Sequence, residues 1–445
     1  MRTHPGGRTP DSSPRRSLPT AADLDVLTGS RDRVVDVLRL ASLVVVVAGH
    51  SLMLTVSADD DGLHLGNLLA DVPIMQGATW LLQILPLFFF AGAAAATHGL
   101  RSRPSTSTGH WLLARAQRLL RPVFWYLLAV VAALLVTGAM GWSTAADVIA
   151  HLGVQLLWFL GAYLLVLAVV PLLHHISTPR QLAVAIGVAW GTTAVIDVLR
   201  LAAGITSVGI LSFLTVWTLP AILGVGYAKR LVTSAQAVCG ALVFLAVDLL
   251  LVQVGPYEVS LVTVPGQQLS NMNPPSLLLA GHTIVLCAAA IALRGPLSAV
   301  ANRPRIWWWV VVGNRGAMTL YLWHLPVLAL VIGAGELVGL TRDQTNPAAF
   351  VAVVGTQTVL VLALMVPVVA LLSGRENDPL PWWDAPLRRD AGPIRDRAVL
   401  LGLIGVGIAT LMMARTGLAD EGLVWAALAV GGAIVARAIA LPRRA

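Results

Sequence analysis

The chain has little charge, almost no lysine and only two cysteines. Charged residues make up 12% of its 445 residues, about half the share that is typical of soluble globular proteins. Hydrophobic residues make up 57%, and the mean hydropathy is +0.79. This composition argues against a soluble globular domain and favours an integral membrane protein.

The scarcity of cysteine and lysine argues against a disulfide-stabilised protein and against a nucleic-acid-binding protein. Cys239 and Cys287 both lie in apolar runs, which favours two small packed side chains over a disulfide. The net charge of +8 comes from 29 arginines and one lysine, nearly all between apolar runs. Such placement is typical of charges that orient membrane helices, so we expect no nucleic-acid partner.

Twelve apolar runs are long enough to cross a bilayer as helices, which takes about 17 to 25 residues each. They cover residues 38–56, 78–97, 122–140, 155–174, 181–198, 209–228, 235–254, 276–293, 317–340, 349–373, 398–414 and 423–441. The segment 144–154 is expected to add a short interfacial or re-entrant piece. The predicted fold class is therefore an all-α integral membrane protein with about twelve transmembrane helices.

These runs divide the chain into four parts. Residues 1–30 are rich in Pro, Ser, Thr, Gly and Arg and lack the apolar segment of a signal peptide, which predicts a disordered cytoplasmic tail. Residues 31–373 form a ten-helix membrane core, and 374–397 form a hydrophilic cytoplasmic linker. Residues 398–445 hold two additional helices and a short tail, with no polar residue that suggests catalysis.

Arginine placement predicts the orientation of the helices. With the N-terminus in the cytoplasm, most arginines between the spans fall inside, and the outer segments hold only Arg200, Arg342 and Arg415. The longest outer loop, 255–275, has neither Lys nor Arg. We therefore expect a multi-pass plasma-membrane protein with both termini in the cytoplasm.

The first span runs from a charged cluster straight into an apolar helix. Within it, Arg39 and His50 lie eleven positions apart, which places them within about 20° of one direction and about 16 Å apart along the axis. Asp36 is expected to pair with Arg39 or Arg33, each three residues away. An interfacial cluster explains Arg33 equally well, but Arg39 and His50 lie inside the apolar run, where such groups usually face a protein-lined or wet path.

Two later segments carry further candidates. Arg115, Arg118 and Arg121 lie three residues apart at the start of the third span. They fit either membrane anchoring or a strip that binds a polyanion. In the ninth span, Tyr321 and His324 precede Pro326, which interrupts the helical hydrogen bonds. A hydrogen-bonded structural histidine is the simpler interpretation of His324.

Two buried carboxylates and the longest outer loop each allow more than one interpretation. Asp197 is three residues from Arg200 and pairs with it or orients a histidine, and Asp248 is a second carboxylate within an apolar run. The outer loop either lines an entrance for a substrate or forms a solvated cap. Its polar side chains are Tyr257, Glu258, Gln267, Gln268, Asn271 and Asn273.

Several of these motifs together resemble the membrane-bound acyltransferase 3 family. The resemblance covers residues 31 to about 373. It is carried by Arg33, Asp36, Arg39 and His50, the Phe-rich segment 88–92, Arg115 and Arg118 with Pro122, Trp158-Phe159-Leu160, and Gly313 with Tyr321-Leu322-Trp323-His324 and Pro326. The serine often found shortly before the Tyr-Leu-Trp-His element is missing, with Ala317 or Thr319 in its place.

The resemblance implies transfer of an acyl group, commonly acetyl from acetyl-CoA, to an acceptor hydroxyl on a carbohydrate, a lipid-linked compound or a small molecule. It implies His50 as the catalytic base, with Arg39 and Asp36 in the same catalytic group. The donor phosphates would bind Arg39, Arg115, Arg118 and Arg121. Tyr321 and His324 would support the site or face the acceptor, and no metal is expected. No serine or cysteine nucleophile elbow is visible, so direct transfer is preferred and a transient acyl-histidine stays open.

The main alternative is a multi-pass secondary transporter or exporter. Twelve spans, a basic inner face and intramembrane Arg and His residues are compatible with transport. No internal repeat pairs two broken helices, as many transporter folds do. A non-catalytic membrane scaffold would require no shared face for Arg39 and His50.

Overall fold

A computed structural model describes residues 28, 31–59, 62–102, 107–339, 347–387 and 392–441. Within these residues, eleven helices are long and apolar enough to cross a membrane, or twelve when one bent pair counts as a span. The prediction of an all-α multi-pass membrane protein is confirmed. The predicted tail 1–30, except residue 28, lies outside the described residues, as does Arg342.

The first half of the fold contains one small hairpin among helices. Its strands are β1 (Leu54–Asp59) and β2 (Gly62–Asn67), and its helices are α1 (Arg33–Met53), α2 (Leu68–Asp71), α3 (Thr79–Leu82), α4 (Leu85–Ser102), α5 (Thr108–Ala139), α6 (Ser143–Gln155), α7 (Leu157–Leu173) and α8 (Pro179–Leu201). Two 3₁₀ helices cover Pro73–Ala78 and Thr206–Leu211.

In the second half, the regular secondary structure of the described residues consists of helices joined by loops. Its helices are α9 (Ser212–Ala228), α10 (Ser234–Val254), α11 (Leu277–Ala292), α12 (Arg294–Ala301), α13 (Pro304–Arg315), α14 (Ala317–Leu337), α15 (Pro347–Asn377), α16 (Pro393–Thr416) and α17 (Glu421–Ile439). Helices α11 and α12 form the bent pair, with an angle of 61° between them.

Helix α1 begins at a side-chain cap and ends at the hairpin. The Asp32 carboxylate accepts hydrogen bonds from the backbone N–H groups of Val34 and Val35, at 3.1 and 3.4 Å. The apolar run was predicted to continue as a helix to residue 56, but Leu54 is extended and pairs with Asn67. The hairpin supplies the strand hydrogen bonds that replace those of another helical turn.

Helix α1 lies between two groups of helices. It packs against α4 on one side and against α12, α13, α14 and α15 on the others. Helix α4 in turn packs against α7, α9 and α11. We call the side of the bundle at which α1 begins the N-side and the opposite side the far side.

Three segments differ from, or add to, the sequence-based expectation. The segment 144–154 is the helix α6, and the second span is broken between α3 and α4. The linker expected at 374–397 is partly helical, because α15 extends to Asn377 and α16 begins at Pro393. Its central part folds back onto the bundle, where Trp383 donates a hydrogen bond to the backbone oxygen of Gln117 at 2.9 Å.

The far-side loop between α10 and α11 is held by one buried carboxylate. Asp197 Oδ2 accepts hydrogen bonds from the Tyr257 hydroxyl at 2.9 Å and from the Leu277 N–H at 2.6 Å, and Asp197 Oδ1 lies 3.0 Å from Arg200. Burial raises the pKa of Tyr257, and the neighbouring Asp197 raises it further, so the hydroxyl stays a donor. Of the two roles considered for Asp197, the structure favours pairing with Arg200.

Candidate functional site

The two intramembrane histidines, 274 residues apart in sequence, are in direct contact. His50 Nδ1 lies 2.9 Å from His324 Nε2, and the two rings are stacked with centroids 5.2 Å apart and an interplanar angle of 21°. His324 is fully buried, whereas His50 is half-buried. The pair is formed by α1 and α14, which pack side by side.

A backbone carbonyl fixes the tautomers of this pair. His324 Nδ1 lies 2.6 Å from the carbonyl oxygen of Tyr321, and because a carbonyl only accepts, this nitrogen carries the proton. In a neutral His324 the Nε2 atom then accepts from His50 Nδ1–H. His50 Nε2 is left with a free lone pair. A hydrogen-bonded chain thus fixes the orientation of the His50 ring and leaves this nitrogen able to accept a proton.

Tyr321 contributes to the site through packing. Its hydroxyl donates a hydrogen bond to the carbonyl oxygen of Leu156 at 2.6 Å, at the break between α6 and α7. Its ring packs against Phe159, with centroids 5.1 Å apart, and against His324, at 6.0 Å. The hydroxyl is therefore used within the protein, and Tyr321 orients His324 through its backbone carbonyl.

A cavity of about 1840 Å³ opens on the far side of the His50 ring. Helices α1, α5, α6, α7, α14 and α16 contribute to its wall, and so does the α10–α11 loop. The loop lines the cavity through Val262, Thr263, Pro265, Met272, Asn273 and Pro274. This supports the entrance interpretation of the loop, although only Asn273 of the six polar residues considered lines the wall.

Aromatic side chains lie between this cavity and the N-side. Phe88, Phe159 and Tyr163 are buried and in mutual contact, with ring centroids 5.0 to 6.0 Å apart; we call them the aromatic layer. A Cβ on Gly92 would lie 2.3 Å from the Tyr163 hydroxyl, which explains the glycine that ends the Phe-rich segment 88–92. Phe159 also lines the cavity.

Arg39 faces the aromatic layer from the N-side. Its guanidinium lies over the Phe88 ring, 5.3 Å from the centroid, and its Nε atom is buried without a hydrogen-bond partner among the described residues. Arg39 is not among the residues that line the far-side cavity. Asp36, which was expected to pair with Arg39 or Arg33, forms its ion pair with Arg31 at 3.8 Å.

Arg115, Arg118 and Arg121, which we call the arginine strip, have different surroundings. Arg115 stacks over the Trp111 ring at 3.7 Å and lies close enough to Tyr163 for electrostatic interaction. Arg118 is exposed. Arg121 is buried, and its Nε and Nη2 atoms bind both carboxylate oxygens of Asp384, at 2.9 and 2.5 Å. Arg39 and Arg115 therefore each lie against an aromatic ring, whereas Arg121 is bound by Asp384 of the linker.

Sequence reasoning missed two residues that shape the site. The Glu376 carboxylate caps the start of α14, where it accepts from the N–H groups of Met318 and Thr319 at 3.2 and 2.9 Å and from the Thr319 hydroxyl at 2.8 Å. It also lies within electrostatic range of Arg39. Arg415, noticed only as an outer arginine, lines the cavity. A carboxylate so close to a predicted span end was the available signal for Glu376.

Comparisons with known proteins agree with the geometry. No curated protein matches the chain, and no solved structure matches it. The model of the family described as "Acyltransferase domain", Acyl_transf_3, matches residues 32–366. The matched region contains both histidines, the aromatic layer and the arginine strip. Because the match covers most of the chain, this protein belongs to the acyltransferase 3 family and is a membrane acyltransferase.

Proposed function

We propose that the protein transfers an acyl group, most simply acetyl, from acyl-CoA on the N-side to an acceptor hydroxyl in the far-side cavity. The observation that carries this proposal is the contact between His50 and His324 at the cavity wall. Its hydrogen-bond chain leaves the Nε2 lone pair of His50 free as a general base. The acceptor class is a hydroxyl of a carbohydrate, a lipid-linked compound or a small molecule.

In the proposed reaction, the acceptor oxygen attacks the thioester carbonyl while His50 Nε2 removes the hydroxyl proton. The new C–O bond forms, the C–S bond breaks, and CoA leaves as a thiolate that regains a proton from His50. The positive charge that develops on His50 is shared through the hydrogen bond to His324 Nε2. No serine or cysteine is required as an acyl carrier, and transfer is direct.

The donor is proposed to bind where cations meet the aromatic layer. CoA carries several phosphates, for which guanidinium groups are strong partners. Arg39 lies over the Phe88 ring of the layer and Arg115 over the Trp111 ring. Arg118 is exposed on the same helix as Arg115. Arg121 is left out of this donor site because Asp384 already occupies its guanidinium. The uncharged pantetheine arm would pass the aromatic layer to bring the thioester to His50.

The orientation in the membrane follows from this donor. Acyl-CoA is made and held in the cytoplasm, so the N-side is assigned to the cytoplasm and the His50 cavity to the outer side. The arginine distribution supports the same assignment. The proposal therefore places the protein in a plasma membrane with cytoplasmic termini and an acceptor that enters from outside.

The test is acyl transfer by His50→Ala. Membranes that contain the full chain are supplied with radiolabelled acetyl-CoA, and acid-stable label in lipid and glycan fractions is measured. His50→Ala should abolish transfer, because no other described group is oriented as a base at the cavity. The matched control is His175→Ala, a change of an exposed histidine on an N-side loop, which should retain activity. Full activity of His50→Ala at equal protein levels would overturn the assignment.

A further inference from the structure

The helix α16 lies outside the matched family region, yet it forms part of the cavity wall. The match ends at residue 366, whereas α16 begins at Pro393. Its cavity-facing residues are Ile404, Ile408, Leu411, Met412, Ala414 and Arg415. Because most of them are three or four residues apart, they occupy one face of the helix. The family core alone would therefore leave this cavity without one of its walls.

Helix α16 is firmly attached to the core. It packs against α5, α6 and α7, and a Cβ on Gly161 of α7 would lie 2.6 Å from the carbonyl oxygen of Gly407. This close backbone approach needs both glycines. Just beyond α16, the Leu418 N–H donates to the carbonyl oxygen of Ala150 at 2.8 Å. The cavity-facing residues of α16 are thus held at fixed positions.

Arg415 is the one charged side chain among the described residues that line the cavity. It lies at the far-side end of α16 and is exposed. Within the described chain it has neither a hydrogen-bond nor an ion-pair partner, although Asp420 and Glu421 follow it closely in sequence. An unpaired guanidinium, the one charge in a mostly apolar wall among the described residues, is suited to bind an anion.

The cavity also reaches the lipid-facing surface of the protein. Two apolar residues of its wall, Leu330 on α14 and Ile408 on α16, are 73% and 46% exposed. Both lie within membrane-spanning helices, where an exposed apolar side chain meets lipid rather than water. A molecule with a hydrocarbon chain therefore has a path from the bilayer into the cavity without leaving apolar surroundings.

We propose that the acceptor is an amphiphile with an apolar chain and an anionic group, and that Arg415 binds this anionic group. The proposal rests on the function proposed above and specifies its acceptor. The apolar chain would lie against α14 and α16, and the hydroxyl would face His50. Helix α16 would then determine which acceptors enter, while the family core carries the transfer chemistry.

Binding is tested without any need for turnover. The full chain in phosphatidylcholine nanodiscs is titrated with radiolabelled dodecyl phosphate, and empty nanodiscs give the background. Arg415→Gln should weaken saturable binding about tenfold, the cost of one charge-assisted hydrogen bond, and Arg415→Lys should restore most of it. Arg303→Gln, a change of an exposed N-side arginine, is the control and should bind normally. Equal binding by Arg415→Gln, or saturation by inorganic phosphate at the same concentrations, would overturn the proposal.

Transfer assays separate this proposal from the underlying function. Membranes with radiolabelled acetyl-CoA should yield labelled products that are retained on an anion exchanger and extracted into organic solvent. Arg415→Gln should reduce this label about tenfold without changing the KM for acetyl-CoA. Label in neutral products that persists in Arg415→Gln refutes the anionic acceptor but keeps the acyltransferase. The absence of any label transfer by the unmodified protein refutes the acyl transfer itself.

Discussion

The two ends of α1 have opposite chemistry. At the N-side, cations lie against aromatic rings: Arg39 lies over the Phe88 ring and Arg115 over the Trp111 ring. At the far side, His50 faces a cavity whose wall is mostly apolar, with Arg415 as its charged member among the described residues. About 16 Å of helix separates Arg39 from His50.

Under the proposed function, this contrast separates a donor that binds at the N-side from an acceptor that binds at the far side. A multiply charged donor matches the N-side and would be costly to place in the far-side cavity. A donor whose charge stays at Arg39 needs to send only its neutral arm through the aromatic layer. Substitutions confined to one end of α1 test whether the two ends act independently.

The largest effect is expected for His324→Ala, which should lower kcat about a thousandfold, equivalent to about 4 kcal/mol. His50 Nδ1–H would lose its acceptor, and the ring would no longer be held in the productive tautomer. Because the change is confined to the far side, the KM for acetyl-CoA should stay the same.

The control for this prediction is His282→Ala, which removes a buried histidine that does not line the cavity. Its kcat should stay within about threefold of the unmodified protein, since it is separate from the base. A raised KM for acetyl-CoA in His324→Ala would instead mean that the two ends are not independent.

The second effect concerns the arginine strip. Arg121→Ala should lower the free energy of unfolding by about 3 kcal/mol, because it leaves the largely buried Asp384 carboxylate without its arginine partner. Thermal unfolding in detergent measures this change. Arg118→Ala, on the same helix but exposed, should unfold normally and change only the affinity for acetyl-CoA. Similar unfolding of the two variants would contradict the distinction drawn between them.

The third effect separates phosphate recognition from chemistry. Arg39→Gln should raise the KM for acetyl-CoA about tenfold, close to 1.4 kcal/mol. With acetyl-pantetheine, which lacks the nucleotide and its phosphates, the variant and the unmodified protein should transfer equally well. Arg303→Gln serves as the control for an exposed cation on the same side. An equal loss with both donors would show that Arg39 is structural.

The smallest effect is expected at the aromatic layer. Gly92→Ala introduces a methyl group that meets the Tyr163 ring, and displacement of this ring should cost about 1 to 2 kcal/mol. Transfer should fall several-fold with both donors. Gly187→Ala adds a methyl group where nothing lies within 4 Å, and it should behave normally. Unchanged transfer by Gly92→Ala would mean that the layer does not control passage of the donor arm.

Much of the architecture could be predicted from the sequence, because each transmembrane helix requires a long apolar run. All twelve predicted runs correspond to helices or to the bent pair α11–α12. The sequence also indicated that Arg39 and His50 share one helix. It did not predict the break at Leu54, since the apolar run continues from Leu52 and Met53 into Leu54 without a proline or glycine between them.

The contacts that define the site depend on residues far apart in the chain. His324 had a simple structural interpretation in the sequence, and only its distance from His50 reveals that the two form a pair. Arg115, Arg118 and Arg121 have the same spacing, yet Asp384, 263 residues from Arg121, binds only the last of them. Local spacing does not contain such information. No functional signal in the sequence marked the last two helices, because the residues that line a cavity can be ordinary apolar residues.

The Glu376 cap has a consequence for the register of the site. Glu376, near the end of α15, accepts hydrogen bonds from the first turn of α14, the helix that carries His324. A slide of α14 by one residue would move His324 by about 1.5 Å, more than a hydrogen bond tolerates. The Glu376 carboxylate therefore fixes the position of α14 along its axis. In this way it keeps His324 within hydrogen-bond distance of His50, although it binds the helix several residues away from His324.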